Sequence, residues 1–477
     1  MKYYLVLDVG TTGIKALVFS QNLEIVGRAY ERIKKSHPKP GFVEQSPQKM
    51  IAVSRRVLRA AVRASRVSPK NLRAFGLTNQ RETTIVWDSK TGKPVYPAIV
   101  WEDKRTTNEC TRMRHEQSEP MVRRKTGLMI DPYFSATKLG WILRNVVHNP
   151  LPLPLILRGR DRSVPPLKLR GGEGELCFGT VDTWILWNLL EGRSHLTDWT
   201  NASRTLLYNI RELKWDDGLC KMFGVLRAML PKVRPSQSKF GWLRKDILGV
   251  RLPVRAVCGD QQASMYGVSA RPGATKVTYG TGTFLVQSLG SKFVLKQPFF
   301  TTLLPGARRP QFALEAKIEG SGAAIDKVLH DSDKLDKALT HIAKDVDIYL
   351  KKLPIRPRAL VVDGGITRSE RMIAIQAKIS GVKVRRQTTA EGTALGVAKL
   401  LRDCPHPDPL PEGEGDWAGR GGYQYETRNS KRTKMRIVRD VGRGGSARSR
   451  RRGALLLFAS CTTEKITNHK HQITDKF

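Results

Sequence analysis

Apolar residues in the first thirty positions fall into three short runs separated by polar turns. The runs YYLVLDV, IKALVF and EIVGRAY predict three strands, the first two joined by a Gly/Thr turn. The stretch Lys276–Gln287, KVTYGTGTFLVQ, repeats the order of strand, Gly-Thr-Gly turn and strand. Gly-Thr turns between strands are common, but two copies of one unit indicate two similar lobes that face a cleft.

Helical periodicity appears between the two copies and again after the second. Pro47–Ala64 and Val181–Leu190 place apolar residues at helical spacing. Near the end, a buried strand is predicted over Leu360–Asp363, followed by a Gly-Gly turn and a helix over Ser369–Ile379. The last predicted helix is Ala394–Leu401. Both halves of the chain therefore contain strands and helices.

The composition is typical of a globular enzyme. With 477 residues and 40% hydrophobic content, the chain can form two large domains and additional segments. No apolar run reaches the roughly 20 residues that a membrane-spanning helix needs. The N-terminus MKYYLVLDVG indicates a buried strand rather than a signal peptide. The six cysteines lack CxxC or metal-ligand spacing, so we expect reduced thiols and a cytoplasmic location.

The formal net charge of +40 is the unusual feature of the composition. Such a charge is typical of proteins that contact nucleic acid or another polyanion. The segment Arg402–Phe477 is rich in Arg and Gly and poor in apolar residues. We therefore predict a disordered tail over 403–477 that makes only weak nucleic-acid contacts. Two Pro- and Gly-rich runs, Asn149–Glu175 and Pro405–Gly415, are interpreted as insertions.

The segment Gly76–Thr106 places a cation, a carboxylate and an indole on neighbouring predicted strands, Thr83–Trp87 and Ala98–Trp101. Arg81 and Glu82 provide hydrogen-bond donors and acceptors, and Trp101 provides an apolar wall. Hydroxyl groups need both donors and acceptors, and a carbon skeleton needs an apolar face, so the set suits a small polyol. The alternative is an exposed ion pair beside a core tryptophan.

The turn after the first strand has the composition of a phosphate-binding turn. Glycine at Gly10 allows backbone N–H groups to face a phosphate, and Thr11 and Thr12 add hydroxyl donors. Asp8 is placed to hold Mg²⁺ through water, and Lys15 to neutralise phosphate charge. The alternative is a β-hairpin turn without a ligand.

Two further turns follow apolar strands. In Gly259-Asp260-Gln261-Gln262, the Asp260 carboxylate can accept a proton from an attacking hydroxyl, and Gln261 can bind a neighbouring hydroxyl. The alternative for Asp260 is a turn cap. Asp363-Gly364-Gly365 has glycines that leave the backbone accessible, and the alternative is an ordinary strand-to-helix turn.

As whole strings, Gly76–Thr106, Tyr133–Trp141 and Thr197–Asp217 resemble the FGGY family of sugar and polyol kinases, in particular its members that phosphorylate glycerol. The resemblance covers about residues 3–147, 175–289 and 312–401. It implies that Tyr133 contacts substrate and that Phe284 closes the polyol pocket. The other nucleotide-contacting positions that it implies are Thr281, Gly322, Gly365 and Ser369.

The fold implied by this resemblance is α/β, with two lobes of the ribonuclease-H-like, actin-like ATPase type. Residues 1–250 would form the polyol-binding domain, 251–402 the nucleotide-binding domain and 403–477 the basic tail. The implied reaction is phosphorylation of glycerol by ATP with Mg²⁺, and Asp260 is the expected base. A homo-oligomer is a further expectation. The alternatives are a kinase of another polyol or sugar, a catalytically impaired paralogue, and a polyanion-binding protein.

The chain also departs from the family's pattern. Val9, Gly13 and Lys15 differ from the usual residues of the first phosphate turn, as Asp326 and Ser369 do in the nucleotide half. Between residues 331 and 335 the family has a long additional stretch that this chain lacks. The nucleotide-binding half is therefore expected to be smaller than in the family.

Overall fold

The computed structural model describes residues 2–147, 175–280, 282–318, 332–387, 389 and 391–404. The predicted insertion at 149–175 lies outside these ranges except for Glu175, and the tail predicted at 403–477 lies outside them except for Asp403 and Cys404.

The first of two six-stranded sheets is built largely from the N-terminal half of the chain. Its strands are β1 (Tyr3–Val9), β2 (Gly13–Ser20), β3 (Ile25–Arg32), β5 (Leu72–Asn79), β13 (Gln237–Leu243) and β14 (Leu252–Gly259). They lie in the order β13-β14-β5-β1-β2-β3. β1 pairs antiparallel with β2 and parallel with β5, which pairs parallel with β14. The three strands predicted within residues 3–30 are confirmed.

The second sheet repeats this arrangement with later strands. Its members are β15 (Thr275–Tyr279), β16 (Thr283–Gly290), β17 (Phe300–Leu304), β18 (Gln311–Ile318), β19 (Ala359–Asp363) and β20 (Lys383–Arg386), in the order β17-β18-β16-β15-β19-β20. β15 pairs antiparallel with β16 and parallel with β19, as β1 does with β2 and β5. The repeated strand-turn-strand unit therefore marks two similar sheets.

The remaining described strands pair as two-stranded ribbons, and all of them lie within residues 44–234. The pairs are β4 (Glu44–Gln45) with β7 (Ala98–Ile99), β6 (Ile85–Asp88) with β8 (Leu176–Gly179), β9 (Leu196–Asp198) with β12 (Lys232–Arg234), and β10 (Tyr208–Asn209) with β11 (Lys214–Trp215). Two predicted strands are shorter or shifted, because the chain turns at residues 80–84 and again after Ile99. These two turns contain Arg81, Glu82 and Trp101, the residues predicted to bind a polyol.

Helices connect and cover the sheets. Their bounds are α1 (Pro47–Ser65), α2 (Thr107–His115), α3 (Glu119–Thr126), α4 (Ser135–Ile142), α5 (Val181–Leu189), α6 (Trp199–Ala202), α7 (Asp217–Phe223), α8 (Lys245–Leu248), α9 (Asp260–Val268), α10 (Ser332–Lys352), α11 (Glu370–Ser380) and α12 (Gly392–Arg402). The Ser46 side chain accepts from the Lys49 N–H at the start of α1, which satisfies one free donor of the first turn. The apolar stripe of α1, including Met50, Val57 and Leu58, is buried against β2 and β3.

The division of the chain between the sheets differs from the predicted boundary at 250/251. β14 lies on the C-terminal side of that boundary but pairs with β5 and β13 of the first sheet. The last helix, α12, also packs against β1, β5 and β14 and against α9. Its Val397 and Leu401 belong to an apolar cluster with Val6 and Ala256 of that sheet. We therefore propose that the first domain extends beyond Gly259 and that the chain returns to it at α12.

Two remaining expectations concern single features of the described residues. Cys110, Cys177, Cys220, Cys258 and Cys404 are free thiols. In the part of the chain that the structure describes, no helix has both the length and the apolar character to cross a membrane.

Candidate active site

The predicted chemistry collects at one end of the first sheet. The turn over Gly10–Thr12 follows β1, the loop over Gln80–Thr83 follows β5, and Asp260 follows β14. These strands are parallel neighbours, so their carboxyl ends meet at one edge of the sheet, where ligands bind in open α/β sheets. The sheet therefore brings together residues that are up to 250 positions apart.

Arg81 is buried at the centre of this site. Its side chain is 2% exposed. Nη1 and Nη2 donate to the two carboxylate oxygens of Glu315 at 2.7 and 2.8 Å, and Nη2 also donates to the Tyr133 hydroxyl at 3.2 Å. Nε lies 3.1 Å from Oδ1 of Asp260. Glu82 is equally buried, so the alternative of an exposed ion pair is wrong.

Glu82 points into the same cluster. Its φ of 61° lies in the left-handed region, which is strained for a residue with a side chain. The Ser135 hydroxyl donates to its carbonyl at 3.1 Å and helps hold this conformation. The Glu82 carboxylate accepts from Nε of Arg204 at 2.6 Å, and Nη2 of Arg204 donates to Glu315 at 3.0 Å. Two guanidinium groups and two carboxylates thus alternate in a buried network, in which each charge faces its opposite.

Asp260 is partly exposed, with 31% of its side chain accessible, in contrast to the buried Glu82 and Glu315. It is the first residue of α9, and its Oδ1 accepts from the Gln261 N–H at 2.7 Å. Desolvation raises the pKa of Asp260 to about 6, although Arg81 acts in the opposite direction. The neighbouring charges of Glu82 and Glu315 add to the increase. A carboxylate with this pKa is ionised at neutral pH and can accept a proton.

This pKa predicts the acid limb of a pH–rate profile. A base must be ionised, so kcat/KM for the acceptor should fall about tenfold per pH unit below a midpoint near 6. Asp8, whose pKa burial raises to about 7, is the other carboxyl that would titrate in this range. The profile is therefore measured at saturating Mg²⁺, because a nearby cation favours ionised Asp8. A midpoint near 4, the ordinary value for Asp, would contradict the assignment of Asp260.

Three aromatic rings form the apolar wall of the site. Trp101 contacts Tyr133 edge-to-face at 5.6 Å between ring centroids and Phe284 at 6.3 Å. The Lys138 ammonium is fully buried and donates to the Tyr133 carbonyl at 2.7 Å, which fixes the turn before α4. Nζ of Lys317 lies over the Trp101 and Tyr133 rings, 5.6 and 5.3 Å from their centroids. The wall therefore combines Trp101 and Tyr133, from loops of the N-terminal half, with Phe284 and Lys317 of the second sheet.

A buried polar network supports the turn that carries Asp260. The Gly259 N–H donates to the Thr200 hydroxyl at 2.9 Å, and Thr200 donates to the Asp198 carboxylate at 2.7 Å. The Ser236 hydroxyl donates to the same carboxylate at 2.6 Å. A Cβ at Gly259 would lie 2.6 Å from Cδ of Arg81, so this position needs glycine for close approach. The turn that carries Asp260 is thus fixed from two sides.

The first predicted phosphate turn is the hairpin between β1 and β2, so it is both a hairpin turn and a candidate ligand site. The Thr11 hydroxyl accepts from the Trp101 indole N–H at 2.9 Å, and the Gly10 N–H donates to the Gly13 carbonyl at 3.0 Å. Thr12 is exposed. Nζ of Lys15 forms an ion pair with Glu391 at 2.9 Å. Burial lowers the pKa of Lys15, but Asp8 and Glu391 outweigh it and the net shift is upward, so the side chain stays charged.

The surroundings of Asp8 fit a magnesium ion. Asp8 is the second-last residue of β1. Its pKa is raised by burial and by the negative charges of Asp260 and Glu391, whereas Lys15 lowers it. A divalent cation would compensate this excess of negative charge. Among the described residues, no group of three or more His, Cys, Asp or Glu side chains could form a protein-only cation site. That is the expected situation for Mg²⁺, which uses one or two carboxylates together with water and phosphate oxygens.

The predicted nucleoside turn follows β19 of the second sheet. The Asp363 carboxylate accepts from the buried Lys276 ammonium at 2.8 Å and from the Ser264 hydroxyl of α9 at 3.3 Å. Gly365 begins a short 3₁₀ turn, and Ser369 is the residue before α11. A side chain at Gly365 would meet open space, so the backbone is accessible there. The amide oxygen of Gln261 accepts from the Thr278 hydroxyl of β15 at 3.3 Å.

Two predicted nucleotide contacts, Thr281 and Gly322, lie outside the described residues, as Asp326 does. The structure also adds residues that the sequence reasoning missed. Arg204 lies within Thr197–Asp217, which resembles the family, but nothing in the sequence indicates that its side chain is buried. Glu315 and Lys317 lie on β18. Glu315 has apolar neighbours on both sides, so the sequence pattern there indicates a strand and no site.

Comparison with known proteins supports the same interpretation. A model of the N-terminal domain of the FGGY family of carbohydrate kinases matches residues 3–267. Glycerol kinase 2 of Thermotoga maritima is 35% identical over 461 residues, which cover 84% of this chain and 89% of that protein. Glycerol kinase of Thermus brockianus is also 35% identical, over 83% of this chain and 89% of its own. The chain belongs to the FGGY family of carbohydrate kinases.

Solved structures agree with this assignment. The glycerol kinase of Plasmodium falciparum, solved with ADP, superimposes with a TM-score of 0.74 at 26% identity and covers 84% of this chain and 90% of its own. Xylulose kinase of Lactobacillus acidophilus has a TM-score of 0.72 over 85% of this chain and 89% of its own, but at 16% identity it supports the fold alone. The predicted two-lobed, actin-like ATPase fold is confirmed.

Proposed function

We propose that the chain phosphorylates glycerol with ATP and forms sn-glycerol 3-phosphate. The observation that carries this proposal is the position of Asp260, a partly exposed carboxylate 3.1 Å from a buried guanidinium and next to an aromatic wall. Glycerol kinases are among the relatives at 35% identity, and this supports glycerol as the acceptor. The ADP in the structure of the Plasmodium falciparum protein supports an adenine nucleotide as the donor.

In this proposal the acceptor lies between the charged network and the aromatic wall. Arg81 and Glu82 bind its hydroxyl groups as donor and acceptor, and Gln261 contributes an amide. The carbon skeleton lies against Trp101 and Phe284, beside Tyr133. Three carbons and three hydroxyl groups need both kinds of surface within a short distance.

Asp260 performs the proton transfer. Its carboxylate accepts the proton of the terminal hydroxyl while that oxygen forms a bond to the γ-phosphorus of ATP. The bond between the γ-phosphorus and the bridging oxygen breaks, and ADP leaves with the bond's electron pair. Arg81, 3.1 Å away, keeps the base oriented before the transfer.

The nucleotide would contact both sheets. Gly10, Thr11 and Thr12 of the first turn, together with Lys15 and Thr281, are proposed for the phosphate groups. Gly322, Gly365 and Ser369 are proposed for the nucleoside. Mg²⁺ held near Asp8 would neutralise phosphate charge when bound.

An acceptor panel tests the proposed substrate. Initial rates of ADP formation are measured for glycerol and for four- to six-carbon polyols and sugars, with the full chain and saturating MgATP. We expect kcat/KM for glycerol to exceed that of the other compounds by about tenfold or more, because relatives at 35% identity are glycerol kinases. A higher kcat/KM for another compound would support kinase activity but would identify that compound, and not glycerol, as the acceptor.

If a folded sample forms no ADP with any compound of the panel, the catalytically impaired paralogue is favoured. Cytoplasmic location, a homo-oligomeric state and weak nucleic-acid contact through residues 403–477 stay predictions of this proposal. For the last of these, retention on nucleic acid should decrease with salt and disappear when the tail is removed.

A further inference from the structure

The buried charge network of the site contains one residue from the second sheet. Arg81, Glu82 and Arg204 precede β13 in the chain, whereas Glu315 lies in the middle of β18. β18 pairs with β16, so that Glu315 is opposite Val286 and Lys317 is opposite Phe284. The same pair of strands therefore supplies the Phe284 ring and the Glu315 carboxylate to one site.

Glu315 binds both guanidinium groups of the network at once. Its side chain is fully buried, and its two oxygens accept from Arg81 at 2.7 and 2.8 Å in a bidentate pair. Oε1 accepts in addition from Nη2 of Arg204 at 3.0 Å. A bidentate pair fixes the plane of the guanidinium as well as its position. Nη1 of Arg81 also donates to the Gln262 amide oxygen at 3.2 Å, which confirms that this plane is held from several sides.

Besides Glu315, two carboxylates lie within reach of the Arg81 guanidinium. Its Nε already lies 3.1 Å from Asp260 and 3.8 Å from Glu82. A guanidinium released from Glu315 would be drawn towards these two carboxylates, both of which are needed for the acceptor. Glu315 therefore keeps Arg81 from closing onto the groups that bind and activate the hydroxyl.

Arg204 adds an independent indication that the network faces a ligand. Its Nη1 is buried and donates no hydrogen bond to any of the described residues. The guanidinium lies over the Phe134 and Tyr133 rings, 5.1 and 5.6 Å from their centroids. A buried charged donor without an acceptor is costly, so a polar group from outside the chain is expected to occupy this position. An acceptor hydroxyl has the required chemistry.

We propose that Glu315 is a positioning residue of the acceptor site, which orients Arg81 and Arg204 towards the hydroxyl groups of the polyol. This inference rests on the proposed function for its substrate, a small polyol. The acceptor site then depends on both halves of the chain, because the carboxylate that aligns Arg81 and Arg204 comes from β18 of the second sheet.

Two substitutions test this role against a purely structural one. Glu315→Gln preserves the shape and removes the charge, whereas Glu315→Asp preserves the charge and is too short for the same bidentate pair. For both variants we expect the acceptor KM to rise about 10- to 100-fold, because the hydrogen bonds of misaligned charged donors are lost. The KM for MgATP should stay within about twofold, because the nucleotide is not bound by Arg81.

The matched control is Glu370→Gln, which makes the same change at a side chain that is 81% exposed and paired with Arg386 in the same half of the chain. This variant should have the wild-type KM for both substrates. Thermal unfolding of each variant reports whether the chain is folded. If Glu315→Gln does not fold, Glu315→Asp decides, since it keeps the charges of the network balanced.

A folded Glu315 variant with the wild-type acceptor KM would overturn the inference, even if its stability were lower. Glycerol binding is also measured at equilibrium by tryptophan fluorescence, since Trp101 lies in the wall. This separates the inference from the proposed reaction: wild-type chain that binds glycerol without turnover would contradict the reaction, while the comparison of variants would still decide the role of Glu315. If the panel selects another acceptor, the same variants are compared with that compound.

Discussion

Replacement of Asp260 by asparagine is expected to lower kcat by about 10²- to 10⁴-fold, the usual contribution of a positioned general base. The amide has nearly the same shape as the carboxylate and can keep the hydrogen bond from the Gln261 N–H, now 2.7 Å. It cannot accept the proton of the attacking hydroxyl. The affinity for nucleotide should change by less than about threefold, since the proposed nucleotide contacts lie on other turns.

Steady-state rates and equilibrium binding of ADP measure these two effects separately. Asp217→Asn is the matched control, because the Asp217 side chain is 85% exposed and pairs with Arg227 at the surface. The control should have wild-type kcat. Unchanged turnover in Asp260→Asn would remove Asp260 from the role of base, and a parallel loss of ADP binding would indicate a general collapse of the site.

Substitution of Gly364 by alanine should have the second large effect, a loss of ADP binding together with lower thermal stability. Gly364 has a φ of 100°, a conformation that side chains rarely adopt. An added Cβ would lie 2.0 Å from the carbonyl oxygen of Tyr279, on the neighbouring strand β15. Because backbone atoms cannot move aside cheaply, we expect a destabilisation of about 3 kcal/mol or more and a displaced turn at residues 363–365.

The adjacent glycine provides the control. A Cβ at Gly365 would meet no atom within 4 Å, so Gly365→Ala should unfold at the wild-type temperature. Thermal unfolding and calorimetric titration with ADP are measured for both variants. Wild-type stability and ADP affinity in Gly364→Ala would show that the turn tolerates a side chain, contrary to the geometry.

The parts of the fold that follow local rules were predictable from the sequence. The run Tyr3–Val9 is buried and apolar, and the Gly-Thr turn after it connects to a second strand of the same kind. Helix α1 has a Ser N-cap, a proline in its first turn and an apolar stripe, so its bounds were predicted within one residue. The repeated strand-turn-strand unit correctly indicated two similar sheets.

The predicted domain boundary at 250/251 does not coincide with the division of the chain between the two sheets. The boundary follows from the family resemblance, whereas β14 lies between β13 and β5 of the first sheet. Pairing between strands more than 170 positions apart leaves no mark in local composition. The return of α12 to the first sheet is equally long-range and was not predicted.

The candidate site was predicted in part for the same reason. Arg81, Glu82 and Asp260 follow the ends of strands, where polar residues after apolar runs are conspicuous. Glu315 lies within a strand, between buried residues. Its proposed role depends on the ion pair with Arg81, 234 positions away. Sequence patterning indicates which residues are close to a strand end, but it does not indicate which buried charges pair across two sheets.

The most direct test of the central claim is product formation by the purified full chain with MgATP and glycerol, followed by ³¹P NMR. We expect sn-glycerol 3-phosphate and ADP to appear in equal amounts, and Asp260→Asn at matched concentration to form both at least about 10²-fold more slowly. Release of ADP and inorganic phosphate without glycerol 3-phosphate, or no reaction from a folded sample, would contradict the claim.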